Sequence, residues 1–258
     1  MSHPQQLEFF AAVKEHLPGL FEKCSVLEVG SFDVNGSIRQ FFSGGDFWGI
    51  DLMPGPGVDE VVPSGHEFHP RAGRSFDVTV STECFEHNPF YLETLVNMIR
   101  LTRKGGAVLF TCASRGRGEH GTARTSPDAS PGTQTRGWNY YRNLVESDFT
   151  SKVDFGAHFA NHRFFYNPVS CDLYFIGLKH PEPGQPSVDS GQLQRAYGAV
   201  EERIAAGMKN PAGRKLRALD QVMSRVLVKD ALYQNVWAVG ARPRMLNVWK
   251  RFFGSDLS

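Results

Sequence analysis

Val26-Leu27-Glu28-Val29-Gly30-Ser31-Phe32-Asp33-Val34-Asn35-Gly36-Ser37 is the stretch on which the fold turns. It opens with the apolar, β-branched texture of a buried strand and passes into a polar, glycine-bearing turn. Gly30 has no Cβ, so backbone there can come close to a ligand. Asp33 and Asn35 favour the turn, and a helix over 34–42 would aim its first N–H groups at whatever lies there. A second strand, Phe47-Trp48-Gly49-Ile50-Asp51, ends in an acid 21 residues after Gly30. An acid about 20 residues beyond a glycine turn is placed for ribose hydroxyls in nucleotide-binding α/β folds. The two strand ends together imply a site for a nucleoside-containing cofactor.

The turn does not fit a dinucleotide. G-x-G-x-x-G lets backbone pack on a pyrophosphate, but Phe32 and Val34 stand where further glycines belong. No G-x-x-x-x-G-K-[ST] phosphate loop is present either. Glu28 would repel a pyrophosphate and suits a cofactor carrying positive charge. Three further landmarks follow in order: Gly49-Ile50-Asp51-Leu52, then Phe76-Asp77-Val78-Thr79-Val80-Ser81-Thr82-Glu83-Cys84-Phe85-Glu86-His87, then Leu101-Thr102-Arg103-Lys104-Gly105-Gly106-Ala107-Val108-Leu109-Phe110.

With these landmarks the chain resembles the class I S-adenosylmethionine-dependent methyltransferases, over roughly residues 20–115. The resemblance implies a Rossmann-like, doubly wound α/β fold and S-adenosylmethionine as cofactor, bearing an ammonium and a sulfonium. It implies Glu28 at the cofactor's amino-acid end, directly or through water, and Asp51 with Leu52 at the ribose. Gly30, Ser31, Asp33 and Asn35 form the first turn; the polar residues replace glycines usual in the family. Many members carry an acid after the third strand, at the adenine. Here that place reads Val61-Val62-Pro63-Ser64-Gly65-His66, leaving Ser64 or a backbone group for the contact. Thr82 and Glu83, at the end of strand four, complete the expected cofactor residues.

Composition is consistent with this class. A chain of 258 residues supports one large domain with or without an appendage. Its net charge of +1 argues against a nucleic-acid partner. The four cysteines, Cys24, Cys84, Cys112 and Cys171, show no zinc or C-x-x-C spacing, which points to a reduced, cytoplasmic chain. No apolar run reaches transmembrane length, no signal-peptide core opens the chain, and no internal repeat is visible.

Strand and helix alternate. Helices are expected at 5–22, 34–42 and 89–102, and strands at 25–30, 46–51, 58–62, 76–81 and 107–112, with Pro54-Gly55-Pro56-Gly57 as a rigid loop. Such alternation implies a mostly parallel sheet with helices on both faces, and ligands at the carboxyl ends of its strands. Residues 1–180 are expected to form the cofactor-binding domain. Within it, 114–143 is rich in Gly, Ser, Thr, Arg and Pro and springs from a ligand-facing strand end, so it reads as a lid or acceptor loop. Glu146–Val153 has helical texture, and Phe164–Tyr166 and Cys171–Leu178 read as closing strands. Residues 181–258 are expected to be a linker (181–192) and a helical extension. Its basic, aromatic tail, Arg242–Phe253, reads as a terminal helix on the core, with a peripheral membrane contact as the alternative.

Methyl transfer is a displacement at the sulfonium carbon, and the protein mainly supplies alignment. A hydroxyl acceptor also needs a base, which suits histidine. His87 follows strand four in Glu83-Cys84-Phe85-Glu86-His87 and is the expected base; His120, in the lid, is the second candidate; His158 and His162 are weaker ones. Acids and histidines near the site, Glu83, Glu86, His87, Glu119 and His120, match no dedicated metal spacing, so a divalent ion is left open and no metal ligand is assigned. The expected reaction is O-methylation of a small molecule, a sugar or secondary metabolite. Arg115, Arg117, Arg136, Trp138, Tyr140 and Tyr141 suit a nucleotide-linked sugar. Two other readings are RNA cytosine methylation through Cys84 and Cys112, which lacks the Pro-Cys nucleophile motif, and a non-catalytic cofactor-binding partner. The Asn/Asp-Pro-Pro-Tyr signature of base or amide amino-group methylation is absent. Oligomeric state is not legible.

Overall fold

A computed structural model describes residues 3–208, 214–227 and 229–246. Seven strands form one sheet in the order β3-β2-β1-β4-β5-β7-β6. The strands are β1 Ser25–Val29, β2 Asp46–Asp51, β3 Glu60–Val61, β4 Phe76–Thr82, β5 Thr102–Ala113, β6 Phe159–Asn167 and β7 Asp172–Lys179. β7 runs antiparallel between β5 and β6, and the other six strands all run in one direction. The register makes the site. Val29 pairs with Ile50 on one side and Ser81 on the other, so Gly30, Asp51 and Thr82-Glu83 emerge together at one edge. Ala113 pairs with Asp172, which brings the start of the antiparallel strand to the same edge.

Each face of the sheet is covered. On one lie helix α1, Pro4–His16, and a long C-terminal helix, Ser190–Met208. Phe9, Phe10 and Val13 of α1 meet Leu193, Ala196, Tyr197 and Val200 of that helix over Val26, Val78, Leu109 and Ile176. On the other lies α2, Tyr91–Leu101, whose Leu95, Met98 and Ile99 pack over Leu27, Val29, Val108 and Phe110. The remaining helices are α3 Pro131–Thr135, α4 Glu146–Thr150 and α5 Phe155–His158, then α6, the Ser190–Met208 helix, and α7 Arg214–Val226. Asp230–Leu232 continues as a π-helical stretch, Tyr233–Ala241. Among the described residues no helix is long and apolar enough to cross a membrane.

Several boundaries differ from expectation. The helix expected over 34–42 is a single 3-10 turn, Ile38–Phe41. Asp33 Oδ1 accepts from the Gly36 N–H at 2.7 Å, and Gly36 has φ +134°, so the chain has turned before Ser37, whose Oγ caps only this short turn by accepting from the Arg39 N–H at 3.1 Å. Phe41 and Phe42 then turn inward onto Phe10 and Phe21, which ends the turn after four residues. α1 stops at His16, and Pro18-Gly19-Leu20 is a 3-10 turn. Its buried apolar residues are Phe9, Phe10, Ala12 and Val13, and Phe9 lies against Tyr174 of β7. β3 shrinks to two residues, and β5 extends back to Thr102. The linker ends at Asp189, and α6, the first helix of the C-terminal part, packs onto the core. Of the expected tail, Asn247–Phe253 lies outside the described residues.

Candidate active site

A cleft of about 650 Å³, its open mouth included, runs along the shared strand edge. Its floor comes from the ends of β1 and β2: Val29, Gly30, Phe32, Val34, Ile50, Asp51 and Leu52 line it. Gly30 has φ +81°, and a Cβ there would lie 2.7 Å from Cys84 Cβ. Contact with the segment after β4 therefore already demands glycine, before any ligand is considered. Phe32 packs where a side chain on Gly55 would sit, 2.0 Å away, so the Pro54–Gly57 loop is clamped onto the first turn. The Asp33 N–H donates to Pro56 O at 2.8 Å and fixes the same contact.

Asp51 faces the cleft. Its Oδ2 accepts from the Phe32 N–H at 3.0 Å and its Oδ1 from the Leu52 N–H at 2.6 Å. Burial pushes its pKa up, and these N–H groups oppose that. Each oxygen keeps a further acceptor position. The lid lies directly above: a Cβ on Gly132 would stand 2.9 Å from Asp51 Oδ1 and 3.3 Å from Leu52 Cβ. Residues 129–133 and Trp138 form that wall of the cleft. Arg136 donates to Val62 O at 3.2 Å and ties the lid to the end of β3.

The far wall is ionic. Glu83 adopts φ +48° and lines the cleft. His3 Nε2 stands 3.7 Å from Glu83 and 3.1 Å from Asp172, while Arg117 reaches both acids at 3.9 and 3.7 Å. Burial disfavours the Glu83 charge, but the His3 and Arg117 cations beside it hold its pKa down at about 2. Burial likewise opposes the His3 charge, yet Asp172 and Glu83 raise it to about 9. Asp172 is pushed upward by burial and by its Glu83 neighbour. His3 and Asp172 carried no signal in the sequence as site residues, and Arg117 was expected at an acceptor rather than between two acids, because only the antiparallel register of β7 and the path of the lid bring the three together.

The histidines meet at this end. His87 and Asn88 line the cleft, and the rings of His87 and His120 stand edge to face at 4.9 Å. Tyr141 packs against both, at 5.4 and 5.0 Å. Burial first, then the neighbouring His120, drives the His87 pKa well down, so its ring is neutral near pH 7. His120 is also lowered by burial and by Arg117.

Of the sequence-derived residues, Gly30, Asp51, Leu52, Glu83 and His87 line one cleft, with His120 touching the last. Ser31, Asp33 and Asn35 shape the turn without lining it, and Thr82 ends β4 behind Glu83. Ser64 is buried and bonds His66 Nδ1, so Val62 and Gly65 take its place on the wall. His158 and His162 are remote from the lining. Arg117 is bound into the acid cluster rather than offered to a ligand.

Glu28 does not line the cleft. It lies buried on β1, and burial pushes its pKa up to about 8, helped by the Asp51 and Asp33 charges against Arg39. A carboxyl whose folded pKa exceeds its unfolded value of about 4.3 costs folding stability once ionised. That cost is absent below about pH 4 and complete above about pH 8. Glu28→Gln is thus expected to raise unfolding free energy by at least about 1 kcal/mol at pH 8, with no gain at pH 4. Urea denaturation at the two pH values checks this, and equal effects at both would refute the buried acid.

Cys84 lines the cleft, but burial, with the Asp51 and Glu86 charges, raises its thiol to about 12, and Cys112 is fully buried. The thiolate is the reactive form, so this setting disfavours cytosine methylation through either thiol.

A second, polar cavity of about 1670 Å³ opens between the lid and the C-terminal helices, lined among others by Arg115, Tyr140, Tyr141, Arg142 and Lys229. The helices brace the lid: Tyr233 donates to Gly116 O at 2.9 Å, and Gln234 accepts from Glu119 N–H at 2.8 Å.

No family model matches the chain, and no curated protein does. Solved structures resemble it weakly. The 1,6-didemethyltoxoflavin N1-methyltransferase of Burkholderia thailandensis, solved with S-adenosylhomocysteine, is 18% identical with a TM-score of 0.45 over 67% of this chain and 78% of its own. The N-methyltransferase NodS of Bradyrhizobium japonicum gives 14% and 0.44 over 70% and 90%. The N-terminal domain of EvdMO1, solved in the presence of S-adenosylhomocysteine and D-fucose, gives 14% and 0.47 over 70% and 85%. The strand order itself is the stronger observation. A doubly wound sheet of order 3-2-1-4-5-7-6, with strand seven antiparallel and the cleft at the ends of its central strands, gives this chain a Rossmann-like α/β fold.

Proposed function

We propose that the chain is an S-adenosylmethionine-dependent methyltransferase acting on a hydroxyl of a small polar acceptor, a sugar or secondary metabolite. The observation that carries this is the lining of one cleft by Asp51, Glu83 and His87. β2 and β4 flank β1, two strand spacings or about 10 Å apart. A nucleoside whose ribose hydroxyls meet Asp51 extends its 5′ substituent across that span toward Glu83 and His87. Glu83, held ionised, gives the cofactor's positive groups the negative neighbour assigned to Glu28 from sequence. Trp138 and the Val62–Gly65 wall give adenine an apolar seat.

S-adenosylmethionine supplies the methyl group and leaves as the thioether. The protein aligns the acceptor oxygen behind that carbon and handles its proton. His87 and His120 are the groups at that end, and His87, kept neutral by burial, has a lone pair to receive a proton. The polar cavity behind Tyr141 is the route for the acceptor. Its aromatic and cationic lining favours a sugar, including one linked to a nucleotide.

Calorimetric titration with S-adenosylmethionine, S-adenosylhomocysteine and NAD tests the cofactor. Binding of the first two at about micromolar Kd, without NAD, is the expected result and justifies an acceptor screen begun with nucleotide sugars. No heat with either would remove this reading.

A further inference from the structure

We infer that Glu86, His87 and His120 form a binding site for one divalent transition-metal ion at the acceptor end of the cleft. Their ligand atoms all lie within 4.8 Å of one another. Glu86 is 0% and His87 2% exposed, yet both Glu86 carboxyl oxygens and both His87 ring nitrogens lack a hydrogen-bond partner. Burying so many unsatisfied polar atoms side by side is costly, and native interiors avoid it unless something else binds there. The Glu86 Oε1–His87 Nε2 distance, 3.9 Å, is too long for the two to satisfy each other.

His120 adds an independent indication. Its Nδ1 is tied to Gly118 O at 3.1 Å, which leaves Nε2 as the ring nitrogen with a lone pair. Metal-bound histidines are oriented by such a bond from the other ring nitrogen to a backbone carbonyl. The lid is also pressed closely enough to hold the set together. Gly121, at φ +65°, leaves no room for a side chain, since a Cβ would lie 2.6 Å from His87 Cε1.

Glu86 and His87 come from the 3-10 turn Phe85–His87 after β4, and His120 comes from the lid. Three protein ligands, one of which lines the cleft, leave coordination positions open toward a small molecule. Two imidazoles and one carboxylate suit Mn²⁺, Fe²⁺, Co²⁺ or Zn²⁺ better than Mg²⁺ or Ca²⁺, which prefer all-oxygen sets. An ion here would hold the acceptor oxygen itself and favour loss of its proton, so that His87 acts through the ion when it is bound and receives the proton directly when it is not. That use of the ion rests on the methyltransferase reading; the site itself does not.

The test uses the whole protein, stripped with a chelator and titrated with Mn²⁺, Co²⁺, Zn²⁺ and Mg²⁺ by calorimetry. Visible absorption of the Co²⁺ form reports the ligand field. The expected result is one equivalent of Mn²⁺, Co²⁺ or Zn²⁺, with Mg²⁺ weaker by at least about tenfold. Glu86→Gln and His120→Gln should each weaken binding by at least about tenfold. His120 sits in the lid, so His120→Gln decides the matter if Glu86→Gln does not fold. No stoichiometric binding by the wild type, or unchanged binding in a folded His120→Gln, would overturn the site. S-adenosylmethionine is titrated into the same preparation. Cofactor binding without metal binding sinks this inference alone, whereas metal binding without cofactor binding sinks the methyltransferase reading and leaves the site standing.

Discussion

Asp51→Ala is expected to weaken S-adenosylmethionine binding by about 100-fold. Two hydrogen bonds from ribose hydroxyls to a carboxylate contribute roughly 1.5 kcal/mol or more each, and about 3 kcal/mol is two powers of ten in Kd. The carboxylate also accepts from the Phe32 and Leu52 N–H groups, so its loss loosens the turn that forms the cleft floor. Asp51→Asn separates the two effects. It keeps the side chain's shape and one acceptor oxygen but loses the charge, and an intermediate Kd is expected. Calorimetry measures both variants, with thermal unfolding as a check that the sheet is intact. A folded Asp51→Ala that binds like the wild type would show that the ribose is not seated at β2.

Arg117→Met is expected to cost about 3–5 kcal/mol of stability at pH 7, the penalty for leaving buried charges without a partner. Glu83 and Asp172 are almost fully buried, and Arg117 and His3 are the cations that face them. With Arg117 gone, the folded-state pKa values of the two acids rise. The penalty is therefore present while the acids are ionised and shrinks as pH falls toward 4. Urea denaturation at pH 7 and pH 4.5 reads both the size and the trend. Arg203→Met is the contrast: its pair with Glu15 is exposed on both sides, and removal should cost no more than about 1 kcal/mol. Equal losses at the two arginines would mean that the buried cluster is not held by charge. Asn143 and Gln234 donate to the backbone carbonyl of residue 117, which methionine keeps, so these ties to the lid remain in the variant.

The parts of the site legible in sequence are those whose position follows from strand ends. β1 and β2 each end in the residue that the cleft uses, because parallel neighbours in register deliver consecutive carboxyl ends to one edge. Glu83 and His87 follow from the same rule at β4. Glu28 misled, because alternation along a strand sends its side chain to the opposite face from Val29. Ser64 misled for a local reason, its bond to His66. The absent helix after β1 was hidden by the Asp33–Gly36 turn, where one side-chain hydrogen bond outweighs a helical pattern.

The sequence by itself determined the sheet, the glycine turn at Gly30, the acid at Asp51 and the presence of a long segment after strand five. These depend on contacts near in the chain: β-branched runs, turn chemistry and spacing. Only the tertiary structure decided what the far wall is made of. His3 comes from the first turn of the chain, Arg117 and His120 from the lid, and Asp172 from an antiparallel strand inserted between β5 and β6. Their meeting depends on register and on how the lid lies across the sheet edge, and no periodicity along the chain encodes that. The same holds for the close set of Glu86, His87 and His120, two neighbours in sequence joined by a residue that only folding brings to them.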